Sequence, residues 1–153
     1  MGSLQAKLSD DLKTALRARD EFRVSVLRMV QSALHNKEIE KRGRSGDGAL
    51  TAEEEIAVLR TELKRRREAS GEFSKGGRQD LAEKEAREAE LLSEYAPLEM
   101  DDAAIAAVVA EVIHDEGSDP GQFGKIMGLV MKRVGGNASG ERVSALLKKT
   151  LGA

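Results

Sequence analysis

Leu4, Leu8, Leu12 and Leu16 recur every four positions and lay one apolar stripe along a helix from about Ser3 to Arg19. Asp20 suits an N-cap, because its carboxylate can accept from the free amides of a first turn. Phe22, Val26, Leu27, Val30, Ala33 and Leu34 then give a second helix its buried face. That helix is predicted to fade between Lys41 and Gly43, where Gly43-Arg44-Ser45-Gly46-Asp47-Gly48 reads as a mobile polar loop. Thr51 and Glu54 have the spacing of a capping box. Ile56, Leu59, Leu63 and Phe73 carry a third helix to about Ser74, and Gly76-Gly77 stops it. A mostly charged fourth helix follows from Arg78 or Gln79 to Glu94, with Leu81, Leu91, Leu92 and Tyr95 as its narrow seam.

Pro97 interrupts the pattern, and a domain boundary is expected between Tyr95 and Met100, giving units of residues 1–96 and 97–153. In the second unit Asp101 caps a helix whose face is Ile105, Val108, Val109, Val112 and Ile113, ending at Glu116-Gly117-Ser118. Asp119-Pro120 is an N-cap with proline at the first helical position. Phe123, Ile126, Met127, Val130 and Met131 line the helix it starts, which ends before Gly135-Gly136. Asn137 or Ser139 opens the last helix, buried through Val143, Leu146, Leu147 and Leu151. No convincing period-two stretch exists. The expected fold is therefore all-α: about four helices in N-terminal hairpins, then a compact three-helix unit.

A chain of 153 residues is one domain or two small ones, too short for a barrel enzyme. Cysteine is absent, which excludes disulfides, thiolate nucleophiles and Cys-ligated metals. No apolar run approaches the ~20 residues of a membrane helix, so no membrane partner is expected. Met1 to Asp10 lacks the apolar core of a secretory leader, and a cytoplasmic location is expected. One Tyr and three Phe make no platform for stacking bases. His35 and His114 stand in different units, and neither has the i+4 partner of a helical zinc site. No phosphate-cradling Gly-rich loop joins a strand to a helix. No catalytic residue, metal or cofactor is expected.

Charge is more informative. Lys64, Arg65, Arg66 and Arg67 form a basic tract, with Arg60 one turn earlier. They could contact phosphates, or they could pair with Glu53, Glu54, Glu55, Glu62 and Glu68 of the same helix. Residues 96–120 hold seven acids and no Lys or Arg, whereas residues 121–153 hold six bases and one acid. Lys125, Lys132, Arg133, Arg142, Lys148 and Lys149 thus offer a basic face to an acidic partner such as RNA. Four of them also complement helix C-termini, which is reason enough for their presence. Gly124 and Gly128 lie four apart inside one helix, each at a cost of about 1 kcal/mol against Ala. Close approach by another helix is the expected reason, and by a sugar–phosphate backbone the alternative.

Four stretches carry a resemblance. They are Asp20-Glu21-Phe22-Arg23-Val24-Ser25-Val26-Leu27-Arg28 with Asn36-Lys37-Glu38-Ile39-Glu40-Lys41-Arg42-Gly43, then Phe73-Ser74-Lys75-Gly76-Gly77-Arg78-Gln79-Asp80-Leu81-Ala82, then Phe123-Gly124-Lys125-Ile126-Met127-Gly128-Leu129-Val130-Met131-Lys132. Over essentially the whole chain the sequence resembles the GatB/YqeY family. The resemblance implies an all-helical protein whose C-terminal unit is similar to the tail of the B subunit of the glutamine-dependent aminoacyl-tRNA amidotransferase. That tail helps hold tRNA, while the carbon–nitrogen ligase chemistry resides elsewhere in that enzyme. Gly124, Lys125, Gly128 and Lys132 fall on the tail-like motif. The family's usual Gly-Arg-Ala-Asp before the last helix is here Gly136-Asn137-Ala138-Ser139. Ser139 can cap in place of Asp, but Asn137 lacks the Arg charge. The resemblance thus implies a non-catalytic accessory protein whose partner is tRNA or a tRNA-dependent enzyme. Lys125, Lys132, Arg133, Lys148 and Lys149 would contact phosphates, Gly124 and Gly128 would allow close approach, and Lys64, Arg65, Arg66 and Arg67 would make a second contact. The alternatives are a helical protein–protein adaptor, or an enzyme with glutamine as amido donor.

Overall fold

The structure, a computed structural model, describes residues 3–135 and 137–152. Among these the fold is all-α, with no strand. The helices are α1 (Leu4–Arg17), α2 (Glu21–Ser45), α3 (Ala52–Lys75), α4 (Gln79–Ser93), α5 (Asp102–Glu116), α6 (Phe123–Val134) and α7 (Gly140–Leu151), with a 3-10 turn at Pro120–Gln122. Two compact units result, Met1–Ala96 and Pro97–Ala153.

Local chemistry starts most of these helices. Ser3, Asp20, Thr51, Asp101 and Ser139 each accept a first-turn amide through the side chain. At Thr51 the reciprocal bond from Glu54 completes a capping box. Asp119 caps the 3-10 turn rather than α6 itself.

α2 runs past its expected end. It includes Gly43, Arg44 and Ser45 and closes at Gly46, whose φ of 79° lies in the left-handed region that favours glycine. The remaining connection is not a free loop. Lys41 Nζ donates to the Ala49 carbonyl at 2.6 Å and pairs with Glu54 at 2.7 Å. Gly48 is buried so closely that a Cβ there would sit 3.0 Å from the Glu38 carbonyl.

The core of the first unit gathers Leu8, Val26, Leu27, Val30, Leu34, Leu59, Leu63, Leu91 and Leu92 from all four helices. Burying each such side chain contributes roughly 1.5–3 kcal/mol. Leu16, last of the α1 stripe, stays 47% exposed. A four-residue repeat drifts by about 40° per step on a 3.6-residue helix, so the stripe turns off the core. Long-range polar contacts finish the unit. The Leu4 amide donates to the buried Glu55 carboxylate at 3.1 Å. The Tyr95 hydroxyl donates to Asp11 at 2.5 Å, and Lys7 lies 5.2 Å over the Tyr95 ring. Burial first, and Asp11 second, push the Tyr95 phenol well above its ordinary range.

The second unit is a triangle of short helices, each touching the other two. Its core is Ile105, Val109, Val112, Ile126, Val130, Val134, Ala138, Val143, Leu147 and Leu151. The Met100 amide donates to the Asn137 carbonyl at 2.8 Å and ties the start of the unit to the turn before α7.

Candidate nucleic-acid interface

α6 carries its two faces in one repeat. Ile126, Val130 and Val134 are buried, while Gly124, Lys125, Gly128, Lys132 and Arg133 are exposed. A Cβ added at Gly124 or Gly128 would meet nothing within 4 Å. The expectation that these glycines seat a neighbouring helix is therefore corrected. They leave the backbone of α6 bare toward solvent, and helix contacts do not offset their propensity cost.

The cations around them differ in freedom. Lys125 pairs with Glu116 at 2.7 Å. Arg133 reaches Glu111 at 3.6 Å and Asp115 at 3.2 Å. Arg142 joins the first turn of α7 to Asp102 at 2.8 Å and to Glu99 at 3.7 Å. Lys132, Lys148 and Lys149 are exposed in the last turns of α6 and α7, with no ion-pair partner among the described residues. Negative carbonyl ends stabilise them there. Ser139 caps α7, and Gly136 lies outside the described residues.

The basic tract of α3 does not form one free face. Lys64 pairs with Glu68 at 3.8 Å and Arg65 with Glu62 at 2.9 Å. Arg67 is exposed without an ion pair among the described residues. Arg66 turns inward: its side chain is 15% exposed, 3.3 Å from Glu62, 3.2 Å from Glu88 and 3.9 Å from Glu85. Burial raises the Glu88 carboxyl above its ordinary value and the charge of Glu85 adds to this, against the opposing pull of Arg66. Glu85 and Glu88 come from α4, so nothing local to the tract distinguishes Arg66 from its neighbours.

His35 and His114 are exposed in different units. Among the described residues no group of three or more His, Asp or Glu is placed to hold a metal ion. None of the described helices is long and apolar enough to cross a membrane.

Residues 5–151 match the family described as "Yqey-like protein". Three fungal relatives are named "Altered inheritance of mitochondria protein 41, mitochondrial". That of Kluyveromyces lactis is 33% identical over 74% of this chain and 62% of its own length. That of Clavispora lusitaniae is 34% identical over 61% and 52%, and that of Lachancea thermotolerans 35% identical over 59% and 46%. The chain thus spans about half to three-fifths of the length of these relatives. Their names overturn the cytoplasmic location expected from the sequence, since each relative is a mitochondrial protein.

Proposed function

The chain belongs to the Yqey-like protein family, and from that premise we propose that it is a non-catalytic accessory protein that holds tRNA phosphates on its C-terminal unit. The observation that carries this reading is the bare outer side of α6. Gly124 and Gly128 stand open with Lys125 and Lys132 beside them, so a sugar–phosphate backbone can approach closer than any Cβ would allow. Among the described residues Lys132, Lys148 and Lys149 have no acid to leave, and they serve as the first phosphate contacts. Lys125 and Arg133 exchange a carboxylate for a phosphate, which returns less. Lys64, Arg65 and Arg67 offer a weaker second contact, while Arg66 stays with its acids. A net charge of −2 makes any such attraction local to these patches.

A mobility shift of purified total tRNA at two salt concentrations tests the reading. Binding weakens steeply with salt, by a slope of very roughly one per phosphate neutralised. Lys132→Ala with Lys148→Ala and Lys149→Ala abolishes it. Absence of binding at low salt, or full binding by the triple variant, overturns the assignment. Glutaminase and transamidation assays on the pure protein stay at background. Turnover there removes the non-catalytic part.

A further inference from the structure

The first unit carries a second unclaimed surface. A groove of about 1210 Å³ runs between α2 and α3 and past the end of α1, with Leu16, Val24, Met29, Ala33, Ala57 and Val58 among its lining. That exceeds the ~300–1,000 Å³ of ordinary small-molecule sites. Its rim charges are uneven. Glu40, Glu54 and Glu62 are already paired, to Lys37 and Arg44, to Lys41, and to Arg65 and Arg66 respectively. Arg19 and Arg28 line the groove, exposed and without ion-pair partners among the described residues.

Arg19 adds an independent observation. It ends α1 at φ 57°, the only non-glycine among the described residues in the left-handed region. Glycine is the ordinary occupant of such a helix end, because a side chain there is strained. The position keeps an arginine nonetheless, and its side chain stands beside the groove.

We propose that this groove docks an amphipathic helix of a partner protein, with acidic side chains flanking its apolar face. Apolar floor meets apolar face, and the acids meet Arg19 and Arg28. RNA suits the groove poorly, since Leu16, Val24, Met29, Ala33 and Val58 are among its lining, and only Arg19 and Arg28 of its lining cations lack an ion pair among the described residues.

The test uses the full chain and two labelled synthetic peptides of roughly 18 residues, about five helical turns. Both share one Leu/Ala face; one is flanked by Glu and the other by Lys. Fluorescence anisotropy should show the Glu-flanked peptide binding at least about fivefold more tightly. Arg28→Glu removes that preference, and Ala57→Glu, on an exposed floor position, weakens both peptides. Arg19→Gly weakens the Glu-flanked peptide while raising the melting temperature, which separates lost binding from misfolding. Equal affinity for the two peptides, or binding untouched by Arg28→Glu and Ala57→Glu, overturns the proposal. So does displacement of the peptide by tRNA that persists in the variant lacking Lys132, Lys148 and Lys149, or a dimer in equilibrium sedimentation that the same substitutions dissociate. Failure here leaves the tRNA assay untouched, because its lysines lie on α6 and α7.

Discussion

The two units answer one problem, packing helices with little aromatic bulk, in different chemistry. The first buries three carboxylates, Glu55, Glu62 and Glu88, beside its leucines. The second buries no charged side chain among its described residues and relies on Ile, Val, Leu and Ala. In the first, a cation near the core is consumed by structure, as Arg66 is. In the second, the buried contacts are apolar; the ion pairs of Lys125, Arg133 and Arg142 lie at the surface, and Lys132, Lys148 and Lys149 stay without an ion pair among the described residues. A basic residue therefore means different things on the two sides of Pro97.

The largest test of this contrast is Arg66→Met, which strands Glu88 in a buried site and leaves Glu62 with Arg65 alone. A loss of about 3–5 kcal/mol in urea unfolding is expected. Adding Glu62→Leu and Glu88→Leu makes the site as apolar as the second unit and restores most of the loss. If the triple variant is no more stable than Arg66→Met, the ionic cluster is not replaceable by apolar contacts and the comparison fails. Glu55→Ala comes next. It removes the acceptor of the Leu4 amide and costs about 1–3 kcal/mol, while Glu55→Gln retains a carbonyl acceptor and costs less. Amide exchange at Leu4 reports the difference.

In the second unit the sign reverses. Gly128→Ala has open space above it and gains up to about 1 kcal/mol in thermal unfolding, while tRNA binding weakens. A stabilised variant with undiminished binding would show that close backbone approach is not needed.

The smallest effect is in pH. Burial raises the Glu55 and Glu88 carboxyls above the unfolded value of 4.5. The folded state then binds more protons in that window, so their contribution is most favourable below 4.5 and declines as pH rises through the folded values. The lowered carboxyls of Glu40, Glu54 and Asp80 act oppositely, supporting the fold above their unfolded values and losing that support as pH falls. Glu88→Gln should remove the Glu88 share of the acid-favoured part of the pH profile, keep that of Glu55 and leave the opposite limb.

Most of the fold was legible because its signals are local. Asp20, Thr51 with Glu54, Asp101 and Ser139 announce helix starts within one turn of sequence. The end of α2 was not, since Gly43, Gly46 and Gly48 are three equivalent stops to a local reading. The tertiary bond of Lys41 to Ala49 favours Gly46. Lys64 to Arg67 show the same limit at the site. Four adjacent bases look alike until α4 arrives with Glu85 and Glu88. The glycines of α6 were visible in the sequence, but whether something covers them is a fact of three dimensions.

The contact between Tyr95 and Asp11 sets a timetable for the growing chain. The two partners are 84 residues apart in sequence. At roughly 5–20 residues per second, several seconds separate the synthesis of α1 from that of its last clasp. During that interval the leucines of α1 and α2 have no complete core to enter. The second unit waits about half as long, since its bond from Arg142 to Asp102 spans 40 residues. The nascent protein is thus most vulnerable to wrong partners early, and a chaperone would find its sites on α1 and α2 rather than on the helices made last.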